Sequence, residues 1–122
     1  MVRCLDTYAL VEISNGNPRF SHLLNEKVVI PEITLAEFYG ILYKRLGLMT
    51  ADNWQKRLAF FTKPVPIDVL VRAVRMRIDE HKTRLSFFDC VGYQYAQANN
   101  MTFVTGDLEF QDMQGVEFIK KE

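Results

Sequence analysis

The chain is predicted to fold as a three-layer α/β/α sandwich around a mostly parallel, twisted sheet of four to five short strands. Two observations carry that prediction. Short apolar runs alternate with stretches whose apolar residues recur at helical spacing, the alternation that builds a parallel sheet covered by helices. Each apolar run also stops abruptly on Asp, Pro or a turn residue, which fits a short buried strand. Crossovers between parallel strands are right-handed, so the helices run antiparallel to the strands. Every helix then begins at the carboxyl edge of the sheet, where open α/β sheets bind ligands. At 122 residues the chain reads as one domain, 1–122, able to bury about two-thirds of its unfolded surface.

The elements follow in order. Val2–Leu5 is a strand stopped by Asp6-Thr7, and Tyr8–Ser14 is a helix with Asp6 as its cap. Asn15-Gly16-Asn17-Pro18 breaks the chain. Phe20–Asn25 is a short helix, and Lys27–Ile30 is a buried strand closed by Pro31. Thr34–Leu46 is a strong helix on the stripe Leu35, Phe38, Leu42 and Leu46, widened by Tyr39 and Tyr43 and ended by Gly47. Thr50 caps the next helix, with Trp54, Leu58 and Phe61 on one face. Lys63–Ile67 holds two prolines and can only be short and near an edge. Asp68 caps a helix with Leu70, Val71, Val74 and Ile78 inside and Arg72, Arg75 and Asp79 outside. Ser86 starts a helix that runs to Asn99-Asn100. Strand Thr102–Thr105 leads into Asp107, and Gly115 introduces a last strand, Val116–Ile119.

Fifteen basic residues balance fifteen acidic ones. No global basic field announces nucleic-acid binding, so any such contact must come from a local patch. Cys4 and Cys90 stand beside acids and not in spaced pairs. With only His22 and His81 to help, neither a disulfide framework nor a zinc site is expected, and a reducing cytoplasm is the natural setting. No apolar run is long enough to span a membrane, and MVRCLD does not open a signal peptide.

Four acids are placed at the carboxyl edge by this scheme. Asp6 follows the first strand, and Glu37 lies in the first turn of the helix after the second. Asp89 opens a crossover helix, and Asp107 follows that helix's strand. Each has a plain structural role open to it. Thr34 with Glu37, and Ser86 with Asp89, fit capping boxes; Asp6 fits an N-cap and Asp107 a turn. Together they pose an electrostatic problem, because two carboxylates about 4 Å apart repel by roughly 4 kcal/mol at an effective dielectric near 20. No Lys or Arg lies within three residues of Glu37 or Asp107. A hard divalent cation, Mg²⁺ or Mn²⁺, is the simplest compensation. Asp89, Tyr93 and Gln97 form a polar stripe that should face solvent.

At these residues the chain resembles the PIN-domain ribonucleases, many of which are the VapC-type toxin half of VapBC toxin–antitoxin pairs. The resemblance runs through Leu5-Asp6-Thr7, Glu37, Leu85-Ser86 with Asp89, and Thr105-Gly106-Asp107 with Glu109-Phe110. It implies a PIN-like sandwich whose acid pocket holds Mg²⁺ or Mn²⁺ and hydrolyses single-stranded or looped RNA. On that resemblance Asp6, Glu37, Asp89 and Asp107 form the catalytic, metal-binding quartet. Thr7 and Thr105 orient the acids or bind substrate, and Ser86 keeps its capping role. A homodimer and a groove for an antitoxin helix are implied too. The chain departs from the common pattern at Gly106, where many relatives carry arginine, and at Cys90–Tyr95, which is bulkier than usual.

Lys82 and Arg84, just ahead of the Asp89 helix, are the candidate RNA contacts, and Tyr93 is a candidate for stacking on a base. Lys44-Arg45, Lys56-Arg57 and Arg72/Arg75/Arg77 read as solvated helix faces. The aromatic pair of helices Thr34–Leu46 and Thr50–Thr62 should leave an apolar patch that marks an interface. Two alternatives stand beside the nuclease. One is a PIN-fold RNA-binding module without activity. The other is a receiver-type phosphoacceptor, which would need an acidic pair after the first strand and a lysine after the last.

Overall fold

Five short strands and six helices alternate along the chain in a computed structural model that describes all 122 residues. β1 (Arg3–Leu5) gives way to α1 (Thr7–Ser14), capped by Asp6. α2 (Pro18–Ser21) runs into a 3-10 turn at His22–Asn25, and β2 (Val28–Pro31) follows. α3 (Glu32–Leu46) and α4 (Leu48–Leu58) form an antiparallel pair around Gly47, whose φ of 92° suits glycine. β3 (Thr62–Lys63) and α5 (Ile67–Asp79) come next, then α6 (Phe87–Ala98), β4 (Thr102–Thr105) and β5 (Val116–Phe118).

All neighbouring strands pair in parallel, in the order β3-β2-β1-β4-β5. The chain builds outward from β1 through β2 to β3, then returns to the other side of β1 with β4 and β5. That reversal makes a topological switch point between β1 and β4, the place where open α/β sheets leave a crevice. Of the proline-bearing segment only Lys63 pairs, at the end of the two-residue edge strand β3; Pro64 and Pro66 follow it, and Pro66 caps α5. The order also differs from the 2-1-3-4-5 of receiver-type sheets, which removes that alternative.

Side chains alternate across the sheet and feed two apolar layers. Cys4, Val29 and Phe103, level with one another, pack with α5 and α6. Leu5, Val28, Ile30 and Val104 pack with α1, α3 and α4. Each large side chain so buried contributes about 1.5–3 kcal/mol. Phe103 is the hub of the first layer, meeting Phe110 at 5.0 Å and Tyr93 edge-on at 5.9 Å between ring centroids. Cys4 and Cys90 are both buried and unbridged. No helix is long and apolar enough to cross a membrane.

Three expectations are corrected. Thr50 lies inside α4, because Gly47 turns the chain so sharply that the helix restarts at Leu48. On α5 the buried face is Val69, Ala73 and Met76, while Val71, Val74 and Ile78 stay exposed. The helix carries two apolar stripes, and the one holding Ala73 faces inward because a small residue lets α5 approach α6 closely. Leu46 is also exposed, since α3 overruns the sheet before Gly47.

Candidate active site

Asp6 leaves β1 at the switch point and is only 4% exposed. Its backbone N–H extends the sheet by donating to the Val104 carbonyl at 3.2 Å. Its carboxylate accepts from the Ala9 amide at 2.8 Å and is hydrogen-bonded by Thr105. Burial dominates its titration, raising the pKa to about 7. Those two hydrogen bonds pull it down, and the charges of Asp89 and Asp107 push it further up.

Thr105, fully buried at the end of β4, also accepts from the Asp107 amide at 3.0 Å. One hydroxyl therefore ties the acid after β1 to the acid after β4. Asp107 accepts from the Glu109 amide at 3.0 Å and caps a single 3-10 turn, Leu108–Phe110.

Asp89 sits in a complete capping box. Its Oδ2 accepts from the Ser86 amide at 2.8 Å, and Ser86 Oγ accepts from the Asp89 amide at 3.1 Å. Its other oxygen is left free of that box. Burial raises its pKa, the Ser86 bonds oppose the rise, and Asp107 adds to it.

Glu37 departs from its expected setting. α3 starts at Glu32 with Pro31 as its N-cap, so Glu37 lies in the second turn and Thr34 is buried without capping anything. The Thr7 hydroxyl donates to Glu37 Oε1 instead. Burial raises this carboxyl also, opposed by Thr7 and reinforced by Asp89.

Glu37, Asp89 and Asp107 line one open cavity of about 390 Å³, with Thr7 and Ser86 on its wall. Asp6 does not line it, but it is buried near enough to Asp89 and Asp107 for their charges to raise its pKa. None of the four acids takes part in an ion pair. No group of three or more Asp, Glu, His or Cys side chains is arranged to grip one ion outright. The donors are thus right in kind for a hard cation, all of them carboxylate oxygens, with Asp6, Glu37 and Asp89 raised by burial and by neighbouring charge, but they are openly spaced. Mg²⁺ takes one or two carboxylates directly and keeps several waters. An open carboxylate set without basic partners fits such a hydrated ion.

Of the candidate RNA contacts, Tyr93 is misplaced. It is buried against Phe103 and Phe110, with its hydroxyl donating to the Gln114 carbonyl at 2.7 Å. One helical turn beyond Asp89 carries the side chain off the sheet edge and over the sheet itself. Lys82 is exposed in the turn before α6 and lines no cavity. Arg84 lines a second cavity beside the first. The cations on the acid cavity's own wall are Arg45 and Lys121. Lys121 approaches Glu12, a buried carboxylate on α1, at 4.0 Å, and Glu12 also accepts from Asn17 at 2.9 Å. Glu12 is legible as a charge flanked by apolar Val11 and Ile13, whereas no local signal marks Arg45 or Lys121.

The sequence matches the PIN domain family over residues 3–116. No curated protein matches it significantly. Its fold is similar to that of a chain in a toxin–antitoxin complex from Klebsiella pneumoniae: TM-score 0.75, 20% identity, with 94% of this chain and 95% of that one covered. It is similar to Mycobacterium tuberculosis VapC20, described as a Sarcin-Ricin loop cleaving toxin, at TM-score 0.77 and 19% identity, covering 92% and 95% of the two chains. DNA-bound VapBC from Salmonella typhimurium gives TM-score 0.74 at 18% identity over 100% of this chain and 99% of that one. At such identities the likeness bears on the fold.

Proposed function

Because the chain belongs to the PIN domain family, we propose that it is a Mg²⁺- or Mn²⁺-dependent endoribonuclease, the toxin of a toxin–antitoxin pair. The observation that supports this reading most is the cavity shared by Glu37, Asp89 and Asp107 near buried Asp6, with no cation paired to any of them. A bound divalent ion would supply Lewis acidity, making water a better nucleophile and neutralising charge as it develops on the phosphodiester.

The chain's own residues hold the donors in place. Thr105 fixes Asp6 and the start of the Asp107 turn, Thr7 fixes Glu37, and the Ser86 cap fixes one oxygen of Asp89. Such supporting hydrogen bonds lock ligand orientation and basicity. Arg45 and Lys121 on the wall attract the phosphates of a polyanion that the acids alone would repel. Buried Glu12 keeps Lys121 near that wall.

Relatives of this fold are found in toxin–antitoxin complexes, and an antitoxin partner is proposed here on that likeness. The apolar residues Tyr43, Leu46, Leu48 and Met49 stay exposed where α3 meets α4. A separate cavity lined by Leu35, Ala36 and Tyr39 opens between the same helices. Exposed apolar surface of this kind suits a partner helix or a second copy of the chain.

Incubation with structured and single-stranded RNA tests the activity. Cutting should require Mg²⁺ or Mn²⁺, stop in EDTA, and fall roughly 10²–10³-fold in Asp89→Asn. Cutting that survives both controls would remove these acids from the reaction, and no cutting across a broad RNA panel would favour the inactive RNA-binding module.

A further inference from the structure

Resting on the ribonuclease reading, we propose that the second cavity is a subsite for one unstacked RNA base next to the phosphate being cut. It measures about 460 Å³ and is lined by Tyr8, Arg84, Gly106, Asp107, Leu108 and Glu109. Tyr8 and Asp107 line the acid cavity as well. The two cavities are therefore neighbours that share a wall, and a strand laid across the acids comes within reach of the second one.

Three features fit a nucleoside there. Leu108 is 73% exposed, an aliphatic surface beside the Tyr8 ring. Aromatic and apolar platforms of this kind hold unstacked bases without regard to sequence. Arg84 is exposed and in no ion pair; only its backbone amide is engaged, by Glu109 Oε1 at 3.3 Å. Its guanidinium is free to take the phosphate on the far side of the base. Gly106 makes room for the platform, since a Cβ there would stand 2.2 Å from Tyr8 Cε1. The carboxylates of Asp107 and Glu109 disfavour a free anion as the occupant, whereas a base is neutral and offers them donor edges.

The test begins by mapping the cut made by the wild-type protein in a single-stranded RNA. The base on each side of the cut is then replaced by an abasic unit in turn. At one of the two positions the wild-type KM should rise roughly five- to tenfold, with kcat little changed. Leu108→Ser should show the same rise on intact RNA and no further rise on the abasic one, while Leu108→Phe restores the wild-type value. Arg84→Gln should raise KM and reduce the slope of log affinity against log salt by about one. If the wild type cuts but the full abasic penalty persists in Leu108→Ser, or if KM stays constant in both variants, the subsite is overturned alone. If the wild type neither binds nor cuts RNA in Mn²⁺, the ribonuclease reading falls and takes the subsite with it.

Discussion

Asp6→Asn should abolish RNA cleavage and yet stabilise the metal-free protein at pH 8. The carboxyl is 4% exposed, and burial raises its pKa from 3.8 to about 7. Between those values the folded state holds a proton that the unfolded state has released. The stability that this carboxyl contributes is therefore fully present below about pH 4 and is lost as pH rises through 7. At pH 8 the folded protein carries a buried charge with no cation beside it. Removing that charge should return on the order of 1–3 kcal/mol, less than the shift alone implies, because an amide meets Thr105 and Ala9 less well. Urea unfolding in EDTA from pH 4 to 8 checks this: the two proteins converge at pH 4 and separate as pH rises. A variant less stable than wild type at pH 8 would show that Asp6 is held by a native partner and needs no ion. Stability set against function at one residue is what a poised site entails.

Gly106→Arg, which would supply the arginine that the family resemblance leads one to expect at this position, should destabilise the fold by about 2–4 kcal/mol and not improve RNA binding. The new Cβ would sit 2.2 Å from Tyr8 Cε1 and 2.8 Å from the Ile119 carbonyl oxygen. Tyr8 packs against Phe20 at 6.1 Å, and the Ile119 backbone is bonded to Thr105 at 2.9 Å, so neither neighbour yields readily. A urea midpoint equal to wild type would mean that the Tyr8 ring moves aside freely.

Much of this architecture is legible from local signals. Strands stopped at Asp6 and Pro31 needed only short apolar runs and punctuation, and the Ser86–Asp89 box needed only its spacing. Parallel pairing then follows from the helices between strands, which is why Asp6 and Asp107 could be assigned to one edge despite their separation in sequence. The failures share a cause. The Thr-x-x-Glu pattern predicts a cap at Thr34 and Glu37 and does not reveal that Pro31 starts the helix earlier. On α5 two apolar stripes compete, and only the neighbouring α6 decides that Ala73 faces inward. Tyr93 looked exposed beside Asp89 because a helical stripe does not say how far it extends past the sheet edge. The roles of Arg45 and Lys121 depend on tertiary placement, and neither stands near an acid of the quartet in sequence.

In the proposed nuclease, four carboxylates from distant segments form a site that a divalent ion completes. Titration of Mn²⁺ into metal-free protein at pH 8, followed by thermal unfolding, tests it most directly. Tm should climb with concentration, with a stabilisation of about 2.7 kcal/mol at a hundredfold excess over Kd, and the climb should vanish in Asp6→Asn and Asp89→Asn. A melting temperature indifferent to millimolar Mn²⁺, or raised equally in wild type and both variants, would contradict it.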